Sequence, residues 1–275
     1  MIYFWHTHVR VNLTNSKVLK IMQYDFKQTR ISKDYLLTRG FHLISKKEIV
    51  AIDGNVIAIL DISSYGKVGF NSIIIHVELG IFLSKKTSRQ LINGVHETNG
   101  WGFTLAKFLA NYLGIKTFIP LVNAYFTLMP MRGAVKGNTD WIAPRFIRSA
   151  RLEDKKLNLV TIYGNELQVD FPKGDFEERM HDVALLNEAS FLFAKRLLDF
   201  DVCEIKLPRD KGYFEPFERC NCEDHQKMRA MLQKLSKVID EFEKYLLHRL
   251  EIEEIQKAGI LKLYFQNLSR IKRLN

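Results

Sequence analysis

Cysteine is scarce in this sequence, which has three among its 275 residues: Cys203, Cys220 and Cys222. An odd number in a chain of this length supplies no disulfide framework, so a reducing compartment fits best. Long apolar runs are also missing, because Ile73–Ile75 and Val56–Leu60 are far shorter than the ~20 residues that a membrane span needs. We therefore expect a cytoplasmic protein without a transmembrane helix.

Proline is nearly as scarce, with six residues, whereas hydrophobic residues make up 47% of the chain. This composition excludes wholesale disorder and is sufficient for a real core. The length allows one large domain, or one domain with an appended element, and is too short for three. The apolar start Met1–Trp5 is interrupted at once by His6, His8 and Arg10, so we expect no secretory signal peptide.

Basic residues are in excess, with 41 Lys and Arg against 31 Asp and Glu, a net charge of +10. A surface of this sign concentrates polyanions, and nucleic acid is the most common of them, although lysine also serves solubility alone. The excess lies in two places. Residues 1–47 hold nine bases and two acids, and Arg132–Lys156 holds seven bases and three acids.

Alternating polar and apolar residues predict several strands and hairpins. The hairpin turns are expected at Asp53-Gly54 and at Gly164-Asn165, because both dipeptides accept a positive φ. The predicted strands are Glu48–Ile52, Asn55–Leu60, Ser72–Leu83, Ile115–Pro120, Ala124–Met129, Trp141–Ala150, Lys156–Tyr163 and Glu166–Phe171.

Three segments have helical spacing. Gly102–Tyr112 places its apolar residues on one face, and Asp175 is a candidate N-cap for a helix that runs to about Phe200. Asp224 is a candidate cap for a long helix whose wide apolar stripe continues to Ile255. We expect that helix to pack on the body or in a bundle, and it is our candidate for self-association. A two-stranded coiled coil is the alternative.

These elements predict an α+β fold in which a β-rich core of hairpins carries packed helices and a C-terminal helical extension. We divide the chain into a basic N-terminal arm at 1–47, a domain at 48–207 and a helical extension at 208–275. The extension is a possible oligomerisation element.

The Arg132–Lys156 region is the main candidate for nucleic-acid contacts. Its glycines place flexible backbone beside guanidinium groups that can enter a narrow minor groove or clamp phosphates. A solvated hairpin that is merely basic is the alternative reading. Strand alternation puts Arg145 and Arg151 on one face and Arg148 on the other unless the strand bulges. The candidate DNA contacts are Arg132, Lys136, Arg145, Arg148 and Arg151.

Two weaker motifs stand near Pro208. Cys220-x-Cys222-x-x-His225 offers three zinc ligands, with Cys203 or Asp224 as a fourth. Because the C-x-C spacing is tight and no second pair follows, unpaired thiols are the favoured interpretation, and we assign no metal and no cofactor.

The second motif suggests an alternative function. Asp201 followed by Glu204-x-Lys206 resembles the carboxylates and lysine of Mg²⁺-dependent nucleases. The usual nucleotide-binding, zinc-protease and serine-hydrolase motifs are missing, so we expect a protein that is not an enzyme. A basic protein-interaction adaptor is a third possibility.

One stretch carries a family resemblance. Its parts follow each other with close spacing: Tyr125–Pro130, the loop Met131–Asp140, Trp141-Ile142, Phe146-Ile147, Leu157–Tyr163, the turn Gly164-Asn165 and Glu166–Pro172. This order resembles the ComK family of bacterial competence transcription factors. Phe103 and Asp140 stand where that family has an arginine and a cysteine.

The resemblance implies a function for the domain at 48–207. It implies an activator of competence genes that binds AT-rich double-stranded DNA, largely through the minor groove, as a homo-oligomer. Narrow A-tract grooves attract inserted arginine, which agrees with the Arg-rich loop. Control by regulated proteolysis through an adaptor protein is implied as well.

Overall fold

A computed structural model describes residues 30–41, 44–46, 52–65, 69–99, 102–123, 126–133, 137–197 and 211–249. The α+β class is confirmed. The strands are β1 (Ser45–Lys46), β2 (Val56–Asp61), β3 (Ser72–His76), β4 (Gly80–Ser84), β5 (Leu121–Asn123), β6 (Phe126–Pro130), β7 (Trp141–Ile142), β8 (Ile147–Glu153), β9 (Lys156–Thr161) and β10 (Glu166–Asp170). The helices are α1 (Lys33–Leu36), α2 (Ser88–Asn99), α3 (Gly102–Tyr112), α4 (Phe176–Leu197), α5 (Glu223–Gln233) and α6 (Leu235–Arg249).

A seven-stranded sheet in the order β1-β4-β3-β2-β7-β6-β5 forms the centre of the core. Its pairs are antiparallel except for β1 and β4. β2 lies in the middle, and all of its residues except Asp61 are buried. A strand covered on both faces is a continuous apolar run, as the sequence of β2 is.

The pairing of β2 differs from the prediction. Its neighbours are β3 and β7, and Ile52 is not part of a strand. The rest of the strand predicted at Glu48–Ile52 lies outside the described residues. The Asp53 carboxylate instead accepts the N–H of Asn55 at 2.8 Å and lies 3.1 Å from Nε2 of His76. Pairing with β3 and β7 satisfies the backbone of the apolar strand β2 on both of its edges, which a local hairpin would do on one edge only.

The segment predicted as one strand from Ser72 to Leu83 is a hairpin of β3 and β4. Gly80 has a φ of 73° and opens the second strand. The imidazole of His76 is buried, and its Nδ1 accepts the N–H groups of Glu78 at 3.1 Å and Leu79 at 3.2 Å. This polar side chain caps the turn and so ends β3 within an apolar run.

A three-stranded sheet, β10-β9-β8, lies apart from the large sheet in hydrogen bonding. The hairpin at Gly164 is confirmed, with a φ of 87° at that glycine. Three residues, not two, separate Thr161 from Asn165, whose carbonyl accepts the Thr161 N–H. β8 and β9 meet at Asp154 and Lys155, which both have a positive φ, as a two-residue type I′ turn requires.

Two predicted strands have different bounds. Trp141–Ala150 is divided into β7 and β8 by a 3₁₀ turn, Pro144–Phe146, because Pro144 favours the first position of a turn and donates no hydrogen bond to a ladder. Ile115–Pro120, which was predicted as a strand, is not one, and the strand β5 begins after it, at Leu121.

The helices at Gly102–Tyr112 and after Asp175 are confirmed. The Asp175 carboxylate accepts the N–H of Glu178 at 2.9 Å, as an N-cap does, and α4 ends at Leu197. α4 packs on α3 and β5. None of the helices in the described ranges is both long enough and apolar enough to span a membrane.

Part of the predicted N-terminal arm belongs to the body of the protein. Ile31 and Leu36 are buried, and Ile31 pairs with Leu167 of β10. Residues 30–41 are therefore packed and not loosely attached. The remaining arm up to residue 29 lies outside the described residues.

The C-terminal part has two helices, α5 and α6, where the sequence predicted one. Asp224 lies in the first turn of α5 and is not its cap. Part of the apolar stripe is buried within the single chain, as Met228, Leu232 and Phe242 show. Its last residues, from Leu250 to Ile255, lie outside the described residues, and self-association through the stripe stays a prediction. The chain divides into two compact units, Met1–His225 and Gln226–Asn275.

Candidate functional site

The predicted DNA contacts begin at the end of β6. Arg132 is exposed, and its guanidinium lies 3.3 Å from the carboxylate of Asp170. Its backbone N–H donates to Oγ1 of Thr139 at 2.9 Å. Lys136 lies outside the described residues.

The side chain of Arg145 is more buried than the sequence suggested. It lies in the 3₁₀ turn before β8, and its guanidinium carbon is 4.5 Å from the ring centroid of Phe146. Burial lowers the pKa of Arg145, although the charges of Tyr163 and Asp53 act in the opposite direction. This side chain packs against the protein, so we do not place it in a groove of DNA.

Arg148 and Arg151 both lie on β8. A register shift between Ile147 and Ser149 marks a bulge at Arg148, which is the irregularity that strand alternation required. Arg148 donates to the carbonyl of Ile162 at 2.8 Å. Arg151 is exposed, and its Nε lies 2.9 Å from the carboxylate of Glu153.

Several bases on and beside the three-stranded sheet pair with its acids. Lys156 and Arg132 both pair with Asp170, and Arg30 pairs with Glu166 at 3.2 Å. Burial alone would raise the pKa of Asp170, but the hydrogen bond and charge of Lys156, with the nearby bases, lower it. These carboxylates neutralise part of the positive charge on this face.

A second group of bases, which sequence reasoning did not single out, follows β4. Lys85, Lys86 and Arg89 are all exposed, and none forms an ion pair with an acid in the described part of the chain. We call these three residues the basic turn. Its backbone is fixed by a capping box, in which Thr87 and Gln90 each accept the other's N–H, at 3.2 and 2.9 Å.

The basic turn lies against the glycine-containing loop that the sequence pointed to. The N–H of Thr139 donates to Oγ of Ser88 at 3.2 Å, and both residues are buried. The buried carboxylate of Asp140 then accepts the N–H of Asp61 at 2.8 Å and pairs with Lys33 at 2.9 Å. These contacts hold the loop at the start of α2, beside the basic turn.

A separate cluster of cysteine and histidine side chains lies where α4 meets the start of α5. It contains His181, Cys220, Cys222 and His225, whose ligand atoms all lie within 4.8 Å of one another. Sγ of Cys222 is 3.2 Å from Nε2 of His181 and 3.3 Å from Nδ1 of His225. Sγ of Cys220 is 3.8 Å from Nε2 of His181.

The sequence found three members of this cluster and missed His181. His181 precedes Cys220 by 39 residues, so no local sequence spacing connects the two. Asp224, one proposed fourth ligand, is exposed in the first turn of α5, and Cys203, the other, lies outside the described residues. Burial would raise the pKa of the Cys222 thiol, but hydrogen bonds from the backbone and ring of His225, and from His181, lower it to about 6.

The nuclease alternative rests on Asp201, Glu204 and Lys206, which lie outside the described residues. Comparison with family models, with curated proteins and with solved structures finds no match for this chain. The functional argument therefore depends on the residues themselves and on the resemblance carried by their order.

Proposed function

We propose that this protein is a DNA-binding transcription regulator of the ComK-like type and not an enzyme. The observation that carries the proposal is the basic turn, Lys85, Lys86 and Arg89, beside the contact between Ser88 and Thr139. Exposed cations without acidic neighbours bind phosphate most strongly, because their field is not already neutralised.

The proposed contact set differs from the one predicted from sequence, since it adds the basic turn and leaves out Arg145. Arg132 stands at the border between the basic turn and the three-stranded sheet, and Arg148 lies at the bulge of β8. Arg151 shares its charge with Glu153 at 2.9 Å and contributes less. Phosphate contacts therefore come first from the basic turn, and Arg132 is our candidate for base edges, with Lys136 added from the sequence alone.

The finer part of the proposal comes from the resemblance to the ComK family. It gives an activator of competence genes that reads AT-rich duplex through the minor groove as a homo-oligomer, and that is removed through a proteolytic adaptor. Arginine inserted into a narrow A-tract groove would supply the preference. A cytoplasmic location follows from this function.

Equilibrium binding to fluorescent duplexes tests the proposal. An AT-rich duplex and a GC-rich duplex of equal length are titrated with the full chain at low and at moderate salt. We expect tighter binding to the AT-rich duplex and a steep loss of affinity with salt, since counterions are released from each neutralised phosphate. Affinity that does not change with salt contradicts the electrostatic part, and equal affinity contradicts AT preference.

The nuclease alternative is separated in one further experiment. Supercoiled plasmid is incubated with the purified chain and Mg²⁺, with an Asp201→Asn, Glu204→Gln variant as the matched control. A regulator leaves the plasmid intact in both reactions. Cleavage by the unaltered chain that the variant lacks would replace our proposal with the nuclease function.

A further inference from the structure

We propose that His181, Cys220, Cys222 and His225 form a closed, structural zinc site. This inference does not depend on the DNA-binding proposal. His181 lies on α4, Cys220 and Cys222 lie in the segment that leads into α5, and His225 lies in the first turn of α5. Neither part of the chain contains a complete set of four ligands by itself.

The distances between the ligand atoms suit a tetrahedral zinc ion. With Zn–S of about 2.3 Å and Zn–N of about 2.0–2.1 Å, tetrahedral angles separate the ligand atoms by roughly 3.3–3.8 Å. The three recorded separations are 3.2, 3.3 and 3.8 Å. All four ligand atoms lie within 4.8 Å of one another, so one ion at the centre of the cluster would draw the wider pairs together by side-chain movement.

The partners of the two histidines support the same assignment. A zinc-bound imidazole usually directs its other nitrogen at a carboxylate, which fixes the ring orientation. Nε2 of His225 is buried without a hydrogen bond and lies 3.6 Å from the carboxylate of Glu188. Nδ1 of His181 lies 3.9 Å from the carboxylate of Asp182. Each ring therefore has one nitrogen toward the sulfur atoms and the other toward an acid.

The ligand chemistry selects the metal and its role. Two thiolates and two imidazoles favour zinc over magnesium and calcium, which prefer oxygen. Four protein ligands leave no open position for water or substrate, so the site is structural and not catalytic.

The site would fasten the segment before α5 to α4. The same segment already touches α4 through Tyr213, whose hydroxyl donates to Glu177 at 2.5 Å, and through Phe217, whose ring centroid is 6.1 Å from that of His181. Zinc would close a loop of 39 residues between His181 and Cys220. Because the ion binds the folded chain, its removal should destabilise this part of the protein.

Metal content and cobalt substitution test the proposal on the full chain. The protein as purified should contain one equivalent of zinc by elemental mass spectrometry. After chelation under reducing conditions, one equivalent of Co²⁺ should give the strong visible bands of a tetrahedral site and thiolate charge-transfer bands for two sulfurs. A chain without zinc, or with octahedral Co²⁺ bands, would overturn the site.

Matched variants then identify the ligands. His181→Gln and Cys222→Ser should lose tight Co²⁺ binding, whereas His248→Gln, at an exposed position on α6, and Cys203→Ser should keep one equivalent. Retention of the tetrahedral spectrum by His181→Gln, with its loss in Cys203→Ser, would contradict our fourth ligand. If a ligand variant does not fold, thiol counting on the unaltered chain still decides. Zinc should protect two cysteines until a chelator is added, and a disulfide between them would refute the site.

Discussion

Removing the charges of the basic turn should weaken DNA binding by an amount that counterion release determines. Lys85, Lys86 and Arg89 are exposed at the junction of β4 and α2, and no acid in the described residues pairs with them. Replacing all three with glutamine lowers the net charge from +10 to +7. Because the side chains are exposed and the capping box at Thr87 is kept, the fold should be unaffected.

The expected loss follows from counterion release. Each phosphate contact contributes about −0.9 to the slope of log K against log salt, so three lost contacts reduce the slope by about 2.7. At roughly 0.1 M salt the same term amounts to a several-hundred-fold loss of affinity. Since charges more than about 10 Å from the DNA are largely screened at this salt concentration, removing three bases elsewhere should cost much less.

The assay is a set of anisotropy titrations of one duplex at several salt concentrations. The control variant is K116Q/K173Q/K195Q, which removes three exposed lysines from the segments around β5 and α4 and leaves the same net charge. We expect its salt slope to change little. Equal loss in both variants would show that net charge alone drives binding, and no loss in the first would refute the basic turn as the contact surface.

Three further predictions concern the fold. Gly212→Ala should destabilise the protein by more than about 2 kcal/mol in chemical denaturation, because an added Cβ would lie 2.2 Å from the carbonyl oxygen of Arg145 and φ is 53°. The control Gly164→Ala, where φ is 87° and the space is open, should cost only about 1 kcal/mol. Equal losses of stability in the two variants would contradict the clash. Asp175→Ala should cost about 1 kcal/mol through the lost N-cap of α4, and an unchanged unfolding midpoint would contradict it. The pKa of Asp170 is lowered in the folded chain, so the stability that its carboxylate contributes is present above about pH 4 and lost as the pH falls. Asp170→Asn should flatten the acid side of a plot of unfolding free energy against pH. An unchanged plot would count against the pairing with Lys156.

Local chemistry in the sequence predicted some elements well. Asp175 as an N-cap, the apolar face of Gly102–Tyr112 and the hairpin at Gly164 depend on neighbours within a few residues. The strand break at His76 was missed because its ring bonds to backbone groups that follow it, which residue periodicity does not reveal.

Long-range features could not be read in the same way. The partners of β2 are set by which strands cover its two edges, and that depends on the whole core. His181 joins the cysteines only because α4 packs beside the segment that precedes α5. The basic turn could have been found, since Lys-Lys-Thr-Ser-Arg-Gln contains a T-x-x-Q capping box after an apolar strand. That no acid among the described residues pairs with it, however, is visible only in the structure.

Selection of bound duplexes from a random pool tests the DNA-binding proposal most directly. The full chain, immobilised, is carried through several rounds beside the variant K85Q/K86Q/R89Q. Our account predicts that the unaltered chain enriches AT-rich boxes at regular spacing, as a dimeric or larger minor-groove reader would, and that the variant does not. A pool that remains random, or that both proteins enrich alike, would contradict it.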